Sequence, residues 1–245
     1  MASLKYLTAL AVLASGVAAG AAPSQAQTVT IVRDNLVSNL TGHAKTPDMH
    51  LLNPWGMANS PGGAVWISDN NSGFSTLYTG AGDIVPLVVK VAPAPGQAVG
   101  SPTGIVWNPV AGSGQFMFME QGATEAAFFI FASEDGTISA WAPIPGAATP
   151  TSTTTVVDNS AGGAVYKGLS FGTNASGNYI FATNFRAGAV EAYDSTFKRA
   201  TLTGKFQDSH IPAGYAPFGI HNIDGDLFVT YAKQDAAKHD DVPGA

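Results

Sequence analysis

Residues 54–78, PWGMANSPGGAVWISDNNSGFSTLY, decide how the chain folds. The stretch opens on Pro54-Trp55-Gly56-Met57, a glycine followed by a large aliphatic residue, and runs on to Trp66-Ile67-Ser68-Asp69. Gly73 follows, with Tyr78 five residues beyond it. An apolar run, a polar turn whose glycine tolerates positive φ, and a second run ending on an aromatic ring describe a β-hairpin. The glycine–aliphatic step recurs as Pro102-Thr103-Gly104-Ile105, Tyr166-Lys167-Gly168-Leu169 and Pro217-Phe218-Gly219-Ile220. The hairpin recurs as well. Phe131-Ala132-Ser133-Glu134 leads through Gly136 to Trp141, and Phe181-Ala182-Thr183-Asn184 leads through Gly188 to Tyr193, each with the same five-residue interval. A fourth copy starts at Leu227-Phe228-Val229-Thr230-Tyr231 and stops.

Units of about 50 residues with some four strands each are the mark of a β-propeller, whose sheets pack radially around a channel. Further β-branched and aromatic runs, at Ile84–Val91, Thr154–Val157 and Tyr179–Thr183, supply the other strands. The expected fold is therefore all-β: four-stranded antiparallel blades, with repeats starting near residues 54, 102, 166 and 217. A β-sandwich would account for strands and turns but not for the repeated glycine-to-aromatic interval. Composition agrees. Among 245 residues there are 28 Gly and 15 Pro, charged residues make up 11%, and hydrophobic residues reach 45%. That is too apolar for disorder and too rich in turn formers for a helical array.

Met1–Ala26 carries Lys5, an apolar run from Leu7 to Ala22, and the small-residue pattern Ser24-Gln25-Ala26. This is the layout of a secretory signal peptide cleaved after Ala26, leaving residues 27–245 as the propeller domain in a secreted or periplasmic setting. The apolar run is shorter than a spanning helix needs, so no membrane span is expected after cleavage. A net charge of −6 argues against nucleic acid as a partner. The absence of cysteine excludes disulfides, thiolate zinc sites and cysteine nucleophiles.

Asn53-Pro54-Trp55-Gly56, Phe131 to Ser139 (FASEDGTIS), Ala164 to Leu169 (AVYKGL) and Pro212 to Phe218 (PAGYAPF) resemble a bacterial family of uncharacterised exported proteins. The resemblance runs from about Asn35 to the last residue. It implies a six-bladed propeller of the NHL or TolB type, often followed by a PEP-CTERM sorting tail, and it implies no activity. Against six blades, the chain carries about four. An arc with an exposed sheet edge is the expectation, with a closed four-bladed ring as the alternative. Val29–Val37 reads as a strand of the kind that closes a ring by pairing with the last blade.

Propeller topology also predicts where chemistry sits. If the glycine–aliphatic step begins the innermost strand, one rim gathers Asn53, Trp55, Thr103, Lys167 and Phe218. The same rim receives the hairpin residues Asp69, Asn70, Asn71, Glu134, Asp135, Asn184, Arg186 and Tyr231. Asn53, Trp55, Lys167, Arg186 and His221 are the ligand-binding candidates. Asp69, Glu134 and Asn184 offer oxygen donors from three blades, the ligand type calcium prefers. Hairpin turns demand the same Asp and Asn residues for backbone reasons alone. His221 sits two residues past Gly219, and reads either as a channel-facing base or ligand or as a core histidine. His43, His50, His210 and His239 read as solvent residues. Trp66, Tyr78, Trp107, Trp141, Phe171, Tyr179 and Tyr193 read as packing between blades. No nucleophile elbow, phosphate loop, HExxH or dinucleotide fingerprint occurs.

The resulting expectation is an exported binding or scaffolding module for a small molecule, a polysaccharide or an extracellular protein. Its rival is a calcium-assisted hydrolase of the propeller lactonase type, in which the metal polarises a carbonyl. Whether the chain is an enzyme stays open at this level.

Overall fold

A computed structural model describes residues 32–204, 206 and 208–244, and the compact unit considered below is Asp34–Ala245. The signal-peptide reading of Met1–Ala26 and the first part of Val29–Val37 lie outside the described residues. The unit begins with a short parallel pair, β1 (Val37–Ser38) and β2 (Thr46–Pro47). The first antiparallel leaf follows: β3 (Pro54–Asn59), β4 (Val65–Asp69), β5 (Phe74–Tyr78) and β6 (Ile84–Lys90), hydrogen-bonded in that order.

The second leaf starts with β7 (Pro102–Trp107) and is interrupted by a hairpin of β8 (Met117–Glu120) and β9 (Ala123–Ala126). It resumes with β10 (Phe129–Ser133), β11 (Thr137–Trp141) and β12 (Thr154–Asp158), and β7 pairs with β10. The third leaf is β13 (Tyr166–Asn174), β14 (Gly177–Asn184), β15 (Ala189–Asp194) and β16 (Arg199–Ala200). The fourth has three strands, β17 (Tyr215–Ile223), β18 (Asp226–Gln234) and β19 (Asp241–Val242). The chain is all-β, and the glycine–aliphatic step opens the innermost strand of each leaf.

Strand alternation explains how the leaves stack. In β10, Phe129 and Phe131 point one way and Ile130 and Ala132 the other. The first pair packs with Trp66 and Leu77 of the first leaf and with Trp141. The second pair packs with Tyr166, Ile180 and Tyr193 of the third leaf. In turn Tyr179 and Phe181 on the opposite face of β14 pack with Ile220, Leu227 and Val229 of the fourth. Each middle leaf is thus apolar on both faces because each face is a core. Consecutive leaves lie side by side, which excludes a two-layer sandwich. The fourth leaf breaks the pattern: Leu227 and Val229 face inward, whereas Phe228 on the other side of β18 is 55% exposed.

Two devices bring the innermost strands β3, β7, β13 and β17 together. The first is glycine. A Cβ on Gly56 would lie 2.3 Å from the Thr103 carbonyl oxygen, and one on Gly104 would lie 2.3 Å from the Leu169 nitrogen. One on Gly168 would lie 2.8 Å from the Phe218 carbonyl oxygen. The second device is a bulge at the same place in all four leaves, between Pro54 and Met57, Pro102 and Ile105, Tyr166 and Gly168, and Pro217 and Ile220. Bulges re-aim the side chain they carry. Here those side chains are Trp55, Thr103, Lys167 and Phe218.

The hairpin glycines behave as expected, with φ of +73° at Gly73, +85° at Gly136 and +66° at Gly188. The strand expected over Val29–Val37 is not formed over residues 32–36; only Val37 is paired, with Thr46. The reason is local. The outward face of the first leaf carries Val65, Ile67 and Tyr78, and Leu36, Val37 and Leu51 border a cleft of about 380 Å³ with them. The Tyr78 hydroxyl donates to Asp48 at 2.9 Å, tying residues 34–52 to this face and not to the last leaf.

Candidate functional site

The four re-aimed residues meet at one end of the inner strands. Lys167 Nζ is the centre of the cluster, with its side chain 1% exposed. It donates to Glu134 of the second leaf and stands 3.6 Å from Asp240 Oδ1, beyond β18. The ammonium also faces three rings: Trp55 at 5.1 Å, Phe185 at 5.6 Å and Phe218 at 5.7 Å from their centroids. Burying an ammonium is costly unless it is paired, and the three rings add cation–π attraction to the carboxylate. Trp55 and Phe218 themselves lie 5.6 Å apart, so the first and fourth leaves touch through side chains.

Strand register explains why these residues converge. Asn70 N donates to the Asn53 carbonyl, Glu134 N to the Ser101 carbonyl, and Phe185 N to the Val165 carbonyl. Asn70, Glu134 and Phe185 are therefore equivalent, each just beyond the end of a second strand and facing the axis. Asn70 Nδ2 donates to Glu134 Oε2 at 2.8 Å, and Asn53 Nδ2 donates to Asn70 Oδ1 and Asn71 Oδ1 at 3.2 Å. A chain of polar contacts thus runs from Asn53 through Asn70 and Glu134 to Lys167 and reaches Asp240. His239 Nδ1 lies 3.0 Å from Asp240 Oδ1. That hydrogen bond, aided by the charges of His239 and Lys167, holds the Asp240 carboxyl below its ordinary value.

An axial cleft of about 470 Å³ opens beside the cluster, lined by the glycine–aliphatic step of all four leaves and by Trp55, Thr103, Lys167, Phe218 and His221. A second cavity of about 360 Å³ continues along the inner strands and shares Met57, Ile105, Leu169 and His221 with the first. His221 is exposed on this channel, which corrects its reading as a core histidine. Trp66, Tyr78, Trp141, Tyr179 and Tyr193 are buried as packing residues.

The three oxygen donors expected to share a metal do not share a partner. Asp69 and Asn184 pair in register with Pro54 and Tyr166, and the residue of the second leaf in that register is Ser133, paired with Pro102. Glu134 is one residue further on, and one step along a strand reverses the face. Glu134 turns to the axis and is neutralised by Lys167. Asn184 turns between leaves, where its amide donates to Glu191 Oε1 at 3.0 Å. Asp69 turns to the outward face of the first leaf. Arg186 is exposed and lies beside Gly163, outside the residues lining the axial cleft.

Two residues in the cluster were not legible as such. His239, which reads from sequence as a solvent residue, and Asp240, which carries no repeat signal, come to the axis from the loop between β18 and β19. Glu134, His239 and Asp240 present ligand atoms within 4.8 Å of one another. The Lys167 ammonium already supplies the positive charge at two of those three groups, so a metal ion there would compete with it.

No described helix is long and apolar enough to cross a membrane. No protein-family model matches the chain. It is 29% identical over 206 residues to uncharacterized protein R648 of Acanthamoeba polyphaga mimivirus, covering 82% of this chain and 48% of that protein. It is 30% identical over 139 residues to uncharacterized protein R640 of the same virus, covering 55% and 24%. The chain spans about half the length, or less, of these curated relatives. Among solved structures it is similar to a catalytically inactive virginiamycin B lyase from Staphylococcus aureus with quinupristin, at 13% identity and a TM-score of 0.47, covering 76% of this chain and 53% of that one. A nidogen/laminin complex is similar at 15% identity and a TM-score of 0.43, covering 78% and 62%. The chemistry of the axial site rests on the residues of this chain alone.

Proposed function

We propose that the chain is an exported propeller-type binding module whose ligand enters the axial cleft at the Lys167 end. The observation that carries this reading is the buried ammonium of Lys167, fixed by Glu134 from a neighbouring leaf and bordered by Trp55 and Phe218. A side chain held on several sides is a preorganised donor, and preorganisation lowers the cost of binding. Glycines let the inner strands close on one another and line the wall of the cleft. A ligand suited to this place has an oxygen acceptor for Lys167 and an apolar or planar body for Trp55 and Phe218. Small molecules, sugar rings of a polysaccharide and an extended segment of an extracellular protein all meet that description. The leader-like sequence Met1–Ala26 supports export, and amino-terminal sequencing of the protein recovered outside the cytoplasm tests it.

The rival reading, a calcium-assisted hydrolase, draws on the spacing of Glu134, His239 and Asp240. The two separate in one experiment. A panel of small acids, sugars and lactones is titrated while the heat of binding and product formation are followed together. Saturable binding without turnover, weakened tenfold or more in Lys167→Met and in Trp55→Ala, is the expected result. Calcium-dependent turnover lost in His239→Ala would replace the binding module by the hydrolase. Absence of any saturable ligand in the folded protein would remove the cleft as the site.

A further inference from the structure

Of the three expected metal ligands, Asp69 lies on the outward face of the first leaf, and its surroundings are unusual. It is 0% exposed, and neither carboxylate oxygen makes a hydrogen bond among the described residues. Thr76 Oγ1, on a residue 1% exposed, is likewise without a partner. Register places the two together. Asp69 pairs with Phe74 and Ile67 with Thr76, so Asp69, Ile67, Thr76 and Tyr78 share the outward face of the first leaf. Asp48 is laid against this face from residues 34–52, accepts from the Tyr78 hydroxyl at 2.9 Å, and is itself buried.

Among the described residues no lysine or arginine pairs with the two buried carboxylates on this face. The nearest basic group, His50, donates its backbone N–H to Asp48 Oδ1 at 2.9 Å and sets its ring 3.2 Å away, but its side chain is half exposed. Asp48 keeps further lone pairs, since a carboxylate offers about four. We propose that Asp69, Asp48 and Thr76 form a binding site for a hard divalent cation, calcium, which pins residues 34–52 onto the first leaf. Oxygen ligands of this kind suit calcium, and two carboxylates balance its charge. Without the cation, burial raises the Asp69 carboxyl to about 7 and the charge of Asp48 adds to the rise. Thr76 lies close enough to temper that shift but outside hydrogen-bond geometry. The site is separate from the axial cleft, so its failure leaves the binding reading untouched.

The test uses the whole chain, stripped with chelator and melted with and without calcium chloride, with magnesium chloride as the comparison. At a hundredfold excess over the dissociation constant, a single site predicts a rise in Tm of about 5–10 °C. Asp69→Asn, which stays folded because it removes a buried charge, is expected to lose the rise, Asp48→Asn to weaken binding at least tenfold, and His239→Ala to keep it. Terbium luminescence, sensitised by nearby tyrosine, provides a second reading, and its loss in Tyr78→Phe is expected. No calcium-dependent shift in the wild type, or a shift kept in Asp69→Asn, overturns the proposal. A shift lost only in His239→Ala would move the ion to the axial cluster and overturns it equally.

Discussion

The carboxylate of Glu134 holds the ammonium of Lys167 across the boundary between the second and third leaves, and both side chains are buried. Removing one partner of such a pair leaves the other charge stranded, which costs about 3–5 kcal/mol. Glu134→Gln is therefore expected to lower the unfolding free energy by that order in urea titration. The double variant Glu134→Leu with Lys167→Met is expected to regain most of it, because an apolar pair needs no solvation. A double variant less stable than either single one would show that the pair contributes through some other contact.

Gly104 and Gly219 occupy the same step of the repeat but differ in what stands behind them. Alanine at 104 drives a Cβ against the Leu169 backbone, whereas at 219 the nearest atom is Thr230 Oγ1 of the same leaf, at 2.9 Å. Gly104→Ala is expected to cost about 3 kcal/mol or more, the upper range for overpacking. Gly219→Ala is expected to stay within about 1 kcal/mol, since alanine suits a strand better than glycine and only a side chain must give way. Matched denaturant curves decide it; equal losses would mean that the fourth glycine also carries a neighbour.

Trp66 stacks on Phe129 with centroids 4.4 Å apart and meets Trp141 at 4.7 Å, which makes it the hub between the first two leaves. Trp66→Ala is expected to cost about 3–5 kcal/mol through the cavity it leaves. Near-ultraviolet circular dichroism should lose the contribution of this one indole among four, together with thermal stability, and a variant melting within a degree or two of wild type would contradict the packing described.

Asp69 gives the chain a pH dependence of definite sign. Its carboxyl titrates near 7 when folded, chiefly through burial, and near 3.8 when unfolded. Between these values the folded state holds a proton that the unfolded state has lost, so stability falls as pH rises from about 4 to 7 and then levels. In calcium-free buffer, Asp69→Asn should flatten that slope and gain roughly 2–4 kcal/mol above pH 7. A wild-type protein that grows more stable across this window, with the variant parallel to it, would show that Asp69 is not desolvated.

Much of this architecture can be read from the chain because its causes repeat. The glycine–aliphatic step recurs since each inner strand must admit the backbone of the next, and the hairpin glycines recur since each turn needs positive φ. The rim was legible for the same reason: Trp55, Lys167 and Phe218 precede those glycines. What failed was phase. The turn after Ser133 is one residue shorter than the turn after Asp69, so aligning Glu134 with Asp69 put a residue of the axial face in line with one of the outward face. Counting back from Gly136 sets Ala132 against Asp69 and counting forward from Phe131 sets Glu134 there, and the residue in register, Ser133, lies between the two. His239 and Asp240 gave no periodic signal because they arrive from a loop beyond the last complete repeat.

Because cores form only between successive leaves, cooperativity along the chain should be graded. The second and third leaves are buttressed on two sides, whereas the fourth packs its apolar core against the third, meets the first through Trp55 and Phe218, and shows Phe228 to water. Native-state hydrogen exchange should therefore proceed as an ordered fraying, with amides of β17 and β18 releasing before those of β10 and β14. The tether from Lys167 to Asp240 would make occupancy of the axial cleft audible at that far end, as slower exchange in the leaf that otherwise opens first.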